Sequence, residues 1–168
     1  TLKEFIALAR KRPGEILFAS TGNGSANHLG GEMLNVVVGL KNVHVPYKGA
    51  APALTDLLAG QVQFMFTTMP PALPHVKSGK LRALAVLSDK PLELEGYGTI
   101  PPITSAIAGF KPDANYFGIF VPKNVPAPVL QTLDMVWKDV VMKSEALKKY
   151  ATANGALFAP AYGDEAQQ

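Results

Sequence analysis

The first 90 residues alternate short apolar runs with stretches whose apolar residues recur at helical spacing. Residues 1–12 predict a helix, since Thr1 and Glu4 have the spacing of a capping box and an apolar face follows. Residues 15–19 predict a buried strand, and residues 26–38 predict a second helix that ends at Gly39. This order of strand, turn and helix is typical of parallel strands joined by helices.

The same rhythm continues to about residue 88. Further strands are predicted over residues 43–45, 61–67 and 81–87, and further helices over residues 53–59 and 70–77. The sequence therefore predicts an α/β fold with a mainly parallel sheet flanked by helices. Residues 89–115 are rich in proline and glycine, have no clear period, and predict a meandering connection.

The last third of the chain predicts a different organisation. An aromatic-rich strand is expected over residues 115–121, followed by C-terminal helices over residues 127–141 and 145–154. We therefore expect an α/β lobe over residues 1–115 and a second part, residues 116–168, made of the strand and these helices.

Composition narrows the class of protein. Hydrophobic residues make up 48% and charged residues 17% of the 168 residues, which is typical of a globular chain with a real core. The net charge of +3 is scattered, so no nucleic-acid surface is predicted. No apolar stretch approaches the roughly 20 residues of a membrane helix, so the chain is not expected to insert in a membrane. No signal peptide is visible, and Thr1 opens directly into a helix, so we expect the natural N-terminus to lie upstream.

The most informative segment is the glycine loop (residues 20–25), which connects the first strand to the second helix. Its glycines allow a tight turn and close approach of a ligand, and its amides converge near a helix N-terminus, where a carboxylate or phosphate is favoured. Its hydroxyls and side-chain amide add donors. The candidate ligand-binding residues here are Ser20, Thr21, Gly22, Asn23, Gly24 and Ser25. The same pattern also fits a plain turn with Ser25 as an N-cap, and the pattern alone leaves both interpretations open.

Two further strand ends are predicted to face the same crevice, because ligands bind at the carboxyl ends of parallel strands. The second loop (residues 46–52) offers Tyr47, Lys48, Gly49 and Ala50 after the second strand. Thr67 follows the third strand. These groups are small and neutral apart from Lys48, which favours a binding site over a catalytic one.

Catalytic and cofactor patterns are weak. His28, His44 and His75 do not have metal-ligand spacing, and the chain has no cysteine, so no metal site is predicted. His28 is expected to support the glycine loop and is counted among the candidate ligand-binding residues, and His44 is expected to be a packed core or rim residue. The loop matches neither a Walker motif nor the dinucleotide fingerprint, so no cofactor is expected. No nucleophile elbow or pair of carboxylates is present, and no catalytic residue is predicted.

Four segments in order resemble the tripartite tricarboxylate transporter receptors of the Bug/TctC family. The first is the glycine loop with its continuation Ala26-Asn27-His28-Leu29, and the second is Val45-Pro46-Tyr47-Lys48-Gly49. The third is Asp56-Leu57-Leu58-Ala59-Gly60-Gln61-Val62. The fourth is Gly79-Lys80-Leu81-Arg82-Ala83-Leu84-Ala85-Val86.

The resemblance implies a periplasmic binding protein of type II-like fold, with a ligand cleft between two lobes. It implies a non-enzymatic receptor in the periplasm that binds a small organic acid and delivers it to membrane permease subunits. Residues 1–115 would be the second lobe, and the C-terminal part would return to a first lobe that the chain does not contain. Half of the cleft would then be absent, and the uncovered apolar faces predict self-association. Because Gly98-Thr99-Ile100-Pro101 replaces a segment common in relatives, the ligand is left open.

Two alternatives remain at this level. An α/β enzyme acting on a small carboxylic acid could use the glycine loop as an anion hole. A module that presents its ligand to a signalling partner would have the same binding chemistry as a receptor.

Overall fold

The computed structural model describes residues 1–111 and 121–153. The chain divides into two compact units, Thr1–Asn115 and Tyr116–Gln168.

A three-stranded parallel sheet lies at the centre of the first unit. Strand β1 (Leu17–Ser20) is flanked by β2 (Val43–Pro46) on one side and β3 (Phe64–Met65) on the other. The register pairs Phe18 with both His44 and Phe64. The prediction of parallel strands is confirmed, although β3 is shorter than the predicted strand over residues 61–67.

Four helices connect and cover these strands: α1 (Leu2–Lys11), α2 (Ala26–Val38), α3 (Ala50–Leu58) and α4 (Met69–Lys77). Helix α1 begins with the predicted capping box between Thr1 and Glu4. Helix α2 ends at Gly39, whose left-handed backbone (φ 65°) is the conformation that favours glycine. Local capping chemistry therefore fixes the start of α1 and the end of α2.

Helix α2 packs unusually close to the sheet. Gly31 faces the fully buried ring of Phe18, and a Cβ on Gly31 would lie only 2.6 Å from Phe18 Cδ2. A Cβ on Gly30 would lie 3.1 Å from the Phe66 ring. These two glycines let the first turns of α2, and the loop that precedes them, sit directly above β1.

The predicted strand over residues 81–87 is wrong. Among the described residues, its strand-type pairing consists of one isolated parallel bridge, between Val86 and Pro102. Val86 donates to Pro101 O and accepts from the Ile103 N–H, but Pro101 and Pro102 have no N–H with which to extend a ladder.

A β-hairpin replaces the predicted meandering connection. Strands β4 (Leu92–Leu94) and β5 (Gly98–Ile100) pair antiparallel, and the Thr99 hydroxyl donates to the Glu93 carboxylate at 2.8 Å. Leu94 and Ile100 are buried and pack with α4. A single 3₁₀ turn, Ile103–Ser105, follows.

The described part of the second unit is helical. It contains α5 (Ala127–Val136), a π-helical turn (Trp137–Val141) and α6 (Glu145–Ala153), in agreement with the predicted positions of the C-terminal helices. The predicted strand over residues 115–121 lies outside the described residues except for Val121, as does the predicted helix end at residues 154–155. Within the described ranges, no helix has both the length and the apolarity needed to span a bilayer.

Candidate functional site

The glycine loop and the second loop lie side by side at the carboxyl ends of β1 and β2. Ser20, the last residue of β1, pairs with Pro46, the last residue of β2. The Tyr47 N–H donates to Ser20 O at 3.1 Å, and a Cβ on Gly22 would lie 3.6 Å from Tyr47 O. The structure therefore brings the first two predicted strand ends together.

The glycine loop is held by its own hydroxyl groups. Ser20 is fully buried, and its Oγ accepts the Gly22 N–H at 3.1 Å and lies 3.0 Å from Gly22 O. Ser25 Oγ donates to Gly22 O at 2.8 Å. Gly22 (φ 136°) and Gly24 (φ 75°) have the positive φ that favours glycine. The hydroxyls of Ser20 and Ser25 therefore stabilise the loop through hydrogen bonds to Gly22.

The loop runs directly into the N-terminus of α2. Ser25 is the N-cap, since its Oγ accepts the His28 N–H at 3.2 Å. The His28 ring reaches back, and its Nδ1 accepts the Gly24 N–H at 3.1 Å. Ser25 therefore acts as the N-cap in the way that the plain-turn interpretation predicts, and His28 supports the loop as expected.

Other donors of this region have no internal partner. Within residues 1–111 and 121–153, no hydrogen bond engages the amide N–H of Thr21, Asn23, Ala26 or Asn27. Thr21 Oγ1 accepts from Asn27 Nδ2 at 3.4 Å, and Asn23 is exposed. These amides lie at the positive end of the α2 dipole, which attracts an anion.

The second loop leads into α3 in a similar way. Gly49 (φ 113°) is the N-cap of α3, and no side chain caps this end of the helix. Ala50 is the first residue of α3, and no hydrogen bond within the described residues engages its amide N–H. Lys48 is exposed and adds a positive charge.

Tyr47 braces the second loop and has no proton left to donate to a ligand. Its hydroxyl donates to Asp56 Oδ2 on α3 at 2.7 Å. This hydrogen bond, together with burial, raises the pKa of the Tyr47 phenol. Asp56 thus has a structural role that its position in a helix did not indicate.

Thr67 follows β3 by two residues. Its hydroxyl oxygen is buried and has no hydrogen-bond partner among the described residues. The structure shows no hydrogen bond between Thr67 and either loop.

His44 is the main residue whose role in the site the sequence missed. Its ring stacks on the His28 ring with centroids 3.9 Å apart, and its Nε2 lies 2.6 Å from Ser20 Oγ. Burial lowers the pKa of His44, the positive charge of His28 lowers it further, and Glu32 opposes these effects. The sequence predicted only that His44 is a packed core or rim residue. A signal was present in the strand order, because parallel pairing sets His44 beside Phe18 at the base of the glycine loop.

Among the described residues, these loops form no metal site and are not part of the surface cavity in the first unit. No group of three or more His, Cys, Asp or Glu residues in the described ranges could hold a metal ion. A surface cavity of about 410 Å³ in the first unit includes neither loop; its lining contains Thr1, Leu2, Lys3, Arg82, Ala83, Leu84, Ala85, Tyr97, Pro101, Ser105 and Ala106. The candidate site is an open surface of backbone donors.

Comparison with protein families identifies the chain. Residues 1–168 match the family described as the tripartite tricarboxylate transporter family receptor, TctC. The chain belongs to this family. It is 33% identical to protein BugT of Bordetella pertussis over 159 residues, which are 93% of this chain and 47% of BugT. It therefore spans about half the length of such relatives.

Solved structures of similar proteins agree with this assignment to the TctC family. The structure of R. palustris Rpa4515 with adipate matches with a TM-score of 0.89 and 27% identity, over 99% of this chain and 55% of that one. The periplasmic binding protein BugD matches with a TM-score of 0.77 and 30% identity, over 92% of this chain and 50% of BugD. The predicted periplasmic-binding-protein fold is confirmed.

Proposed function

We propose that this protein is a receptor that captures a small organic acid in the periplasm and delivers it to the membrane permease subunits of a tripartite transporter. One observation carries the proposal. Two adjacent helix N-termini, those of α2 and α3, present backbone N–H groups without internal partners at neighbouring strand ends.

A carboxylate is the ligand group that best fits these donors. The amides of Thr21, Asn23, Ala26 and Asn27 can donate to its oxygens, and each helix end adds about half a positive charge. The exposed Lys48 adds long-range attraction for an anion. Adipate, present in the structure of the related Rpa4515, has such a group.

Not every predicted site residue acts directly in this proposal. The amides of Gly22, Gly24 and Ser25 and the Ser20 hydroxyl hold the loop together, so they shape the site for the ligand. Gly49 and Ala50 contribute through the start of α3, and Tyr47 braces the second loop through Asp56. Thr67 stays a prediction, since its hydroxyl oxygen is buried out of reach of a ligand in this structure.

The short contact between Ser20 Oγ and His44 Nε2 resembles a catalytic serine–histidine pair, but its burial argues for a receptor. Ser20 has no exposed surface, so no substrate carbonyl can reach its Oγ. In the part of the chain that the structure describes, no carboxylate hydrogen-bonds to His44 to orient its ring for base catalysis. The pair therefore acts on the loop and not on a substrate.

Binding is tested on the longest natural protein that contains this chain, called the full receptor below. Isothermal titration against a panel of mono-, di- and tricarboxylates that includes adipate should find at least one ligand that is bound and not turned over. Because this chain spans about half the length of its relatives, we expect it to bind the same ligand more weakly when purified alone. Release of product from any hit would instead support an enzyme.

Gly24→Val should abolish binding, since a β-branched residue is strained at φ 75° and its bulk obstructs the loop. Gly79→Val is the matched control. Gly79 has nearly the same φ, 72°, also has open space around its Cβ position, and follows α4 away from both loops. Equal affinities for the two variants would remove the glycine loop from the site.

A further inference from the structure

Two histidines from different elements form a stacked pair beneath the glycine loop. The rings of His28 on α2 and His44 on β2 are 3.9 Å apart and inclined by 22°. The buried ring of Phe18, which lies on β1, has its centroid 5.0 Å from that of the His44 ring. The pair is therefore held in a fixed arrangement by elements of the core.

Each ring holds a different part of the loop. His28 Nδ1 accepts the Gly24 N–H at 3.1 Å, which requires this nitrogen to be unprotonated. His44 Nε2 lies 2.6 Å from Ser20 Oγ, the hydroxyl that also binds the Gly22 amide. Through these two contacts the pair fixes both glycines of the loop.

Few charged groups of the described residues lie against the pair. On α2, Glu32 Oε1 lies 3.9 Å from His28 Nε2, and the N-terminus of the helix adds its positive dipole end. The groups that β1 packs against the rings, Phe18 and Ser20, carry no charge. Two imidazolium rings at 3.9 Å would repel each other, and burial together with the His28 charge already lowers the pKa of His44. The pair therefore takes up a second proton much less readily than a first.

A proton on His28 Nδ1 would have two opposite effects on ligand binding. It would turn the acceptor for the Gly24 N–H into a second donor, so the hydrogen bond would be replaced by a repulsive contact and the loop would loosen. It would also add a positive charge near a bound carboxylate and so strengthen the attraction. The sign of the pH dependence shows which effect is larger.

We propose that the His28–His44 pair is a positioning device, which holds the glycine loop in its binding geometry while both rings are neutral and releases it when the pair takes up a proton. The inference rests on the proposed function, because it concerns regulation of the same site. Histidine is suited to such a device because it ordinarily titrates between about pH 5 and 8. The receptor would then hold its ligand at neutral pH and release it in an acidified periplasm.

The test measures the affinity of the full receptor for adipate, or for the tightest carboxylate of the panel, between pH 8 and pH 6. The same titration on His28→Asn corrects for ionisation of the ligand, because the Oδ1 of asparagine can take the position of Nδ1 but does not titrate. We expect wild-type affinity, divided by that of His28→Asn, to fall by up to about tenfold per pH unit below the titration of the pair. His75→Asn is the control and should follow the wild type, since His75 lies on α4 and no hydrogen bond among the described residues involves its ring.

His28→Leu separates positioning from packing. The leucine side chain fills the space of the ring but has no hydrogen-bond acceptor, so this variant should bind the carboxylate more weakly than His28→Asn at pH 8. A wild-type affinity that rises on acidification, or that changes in parallel with that of His28→Asn, would overturn the proposal.

A second measurement does not depend on any ligand. In ¹⁵N-labelled receptor, His28 Nδ1 should have the chemical shift of an unprotonated acceptor at pH 8. The Gly24 amide resonance should move between pH 8 and pH 6 in the wild type but not in His28→Asn. A protonated Nδ1 at pH 8, or a Gly24 amide whose chemical shift does not change with pH, would contradict the proposal. If no carboxylate of the panel binds, the proposed function fails, while these resonances still decide whether the pair controls the loop.

Discussion

At the scale of single residues, glycine serves two purposes in this protein. Gly22 and Gly24 supply positive φ in a turn between a strand and a helix, which the sequence indicated from their spacing. Gly30 and Gly31 lie in the middle of a helix, where glycine ordinarily costs about 1 kcal/mol relative to alanine. Only the packing of α2 against Phe18 and Phe66 explains them.

Gly31→Ala is therefore expected to destabilise the fold. Its Cβ would overlap the Phe18 ring, and overpacking of this kind costs about 1–3 kcal/mol, with this site at the upper end because the Phe18 ring is fully buried. That exceeds the roughly 1 kcal/mol that alanine gains in a helix. Urea unfolding measures the change in the free energy of unfolding.

Val36→Ala on the same helix is the control for this measurement. Val36 is 80% exposed, so its truncation should change the free energy of unfolding by less than about 0.5 kcal/mol. A Gly31→Ala protein as stable as the wild type would show that α2 can move away from the sheet at little cost.

At the scale of secondary-structure elements, the N-terminus of α2 connects stability to the site. Ser25 caps the helix and also donates to Gly22 O within the glycine loop. One side chain therefore orders both the helix end and the turn before it.

Ser25→Ala should lower the free energy of unfolding by about 1 kcal/mol, the usual cost of losing an N-cap. Ser25→Asp restores an acceptor for the His28 N–H, so the free energy of unfolding should recover. The aspartate side chain has no hydrogen to donate to Gly22 O, and it places a negative charge where the ligand carboxylate would bind. We therefore expect Ser25→Asp to fold well and bind organic acids poorly. Thermal unfolding of each variant measures its stability, and isothermal titration of the same samples with organic acids measures their affinity. Equal affinity of Ser25→Asp and the wild type would contradict the proposed site.

Local signals also explain which elements could be predicted from the sequence. Helix α2 is found with its predicted bounds because Ser25 and Gly39 are capping residues that act within a few positions of the chain. The segment over residues 81–87 has the apolar pattern of a strand, but whether it pairs depends on its neighbour. That neighbour contains Pro101 and Pro102, so the ladder does not form. The β4–β5 hairpin, with its alternating Leu92, Glu93 and Leu94, carried a strand signal that the surrounding prolines and glycines obscured.

At the scale of the whole molecule, the second unit presents an apolar surface. Six large hydrophobic residues on α5 and the adjoining π-helical turn are exposed: Val129, Leu130, Leu133, Met135, Val136 and Val140. A group of exposed large apolar side chains is typical of an interface. We therefore expect the chain, purified alone, to self-associate.

Sedimentation velocity over a range of concentrations tests this expectation. Leu133→Lys should shift the chain toward monomer, because a charge cannot be buried in an apolar contact without a large cost. Gln131→Lys adds the same charge to an already polar, exposed position of α5 and should leave the association unchanged. A wild-type chain that is monomeric at every concentration would contradict the expectation.

The sequence by itself determined the α/β rhythm, the helix caps, the two loops at the strand ends and the family, because each depends on short-range pattern or on motif residues. The tertiary structure decided which loop donors are free. The amides of Gly22 and Gly24, expected to face a ligand, are taken by Ser20 and His28, whereas those of Thr21 and Asn23 remain. It also brought His44 under the loop from another strand. No local pattern could specify these contacts, because they depend on how β1, β2 and α2 meet in space.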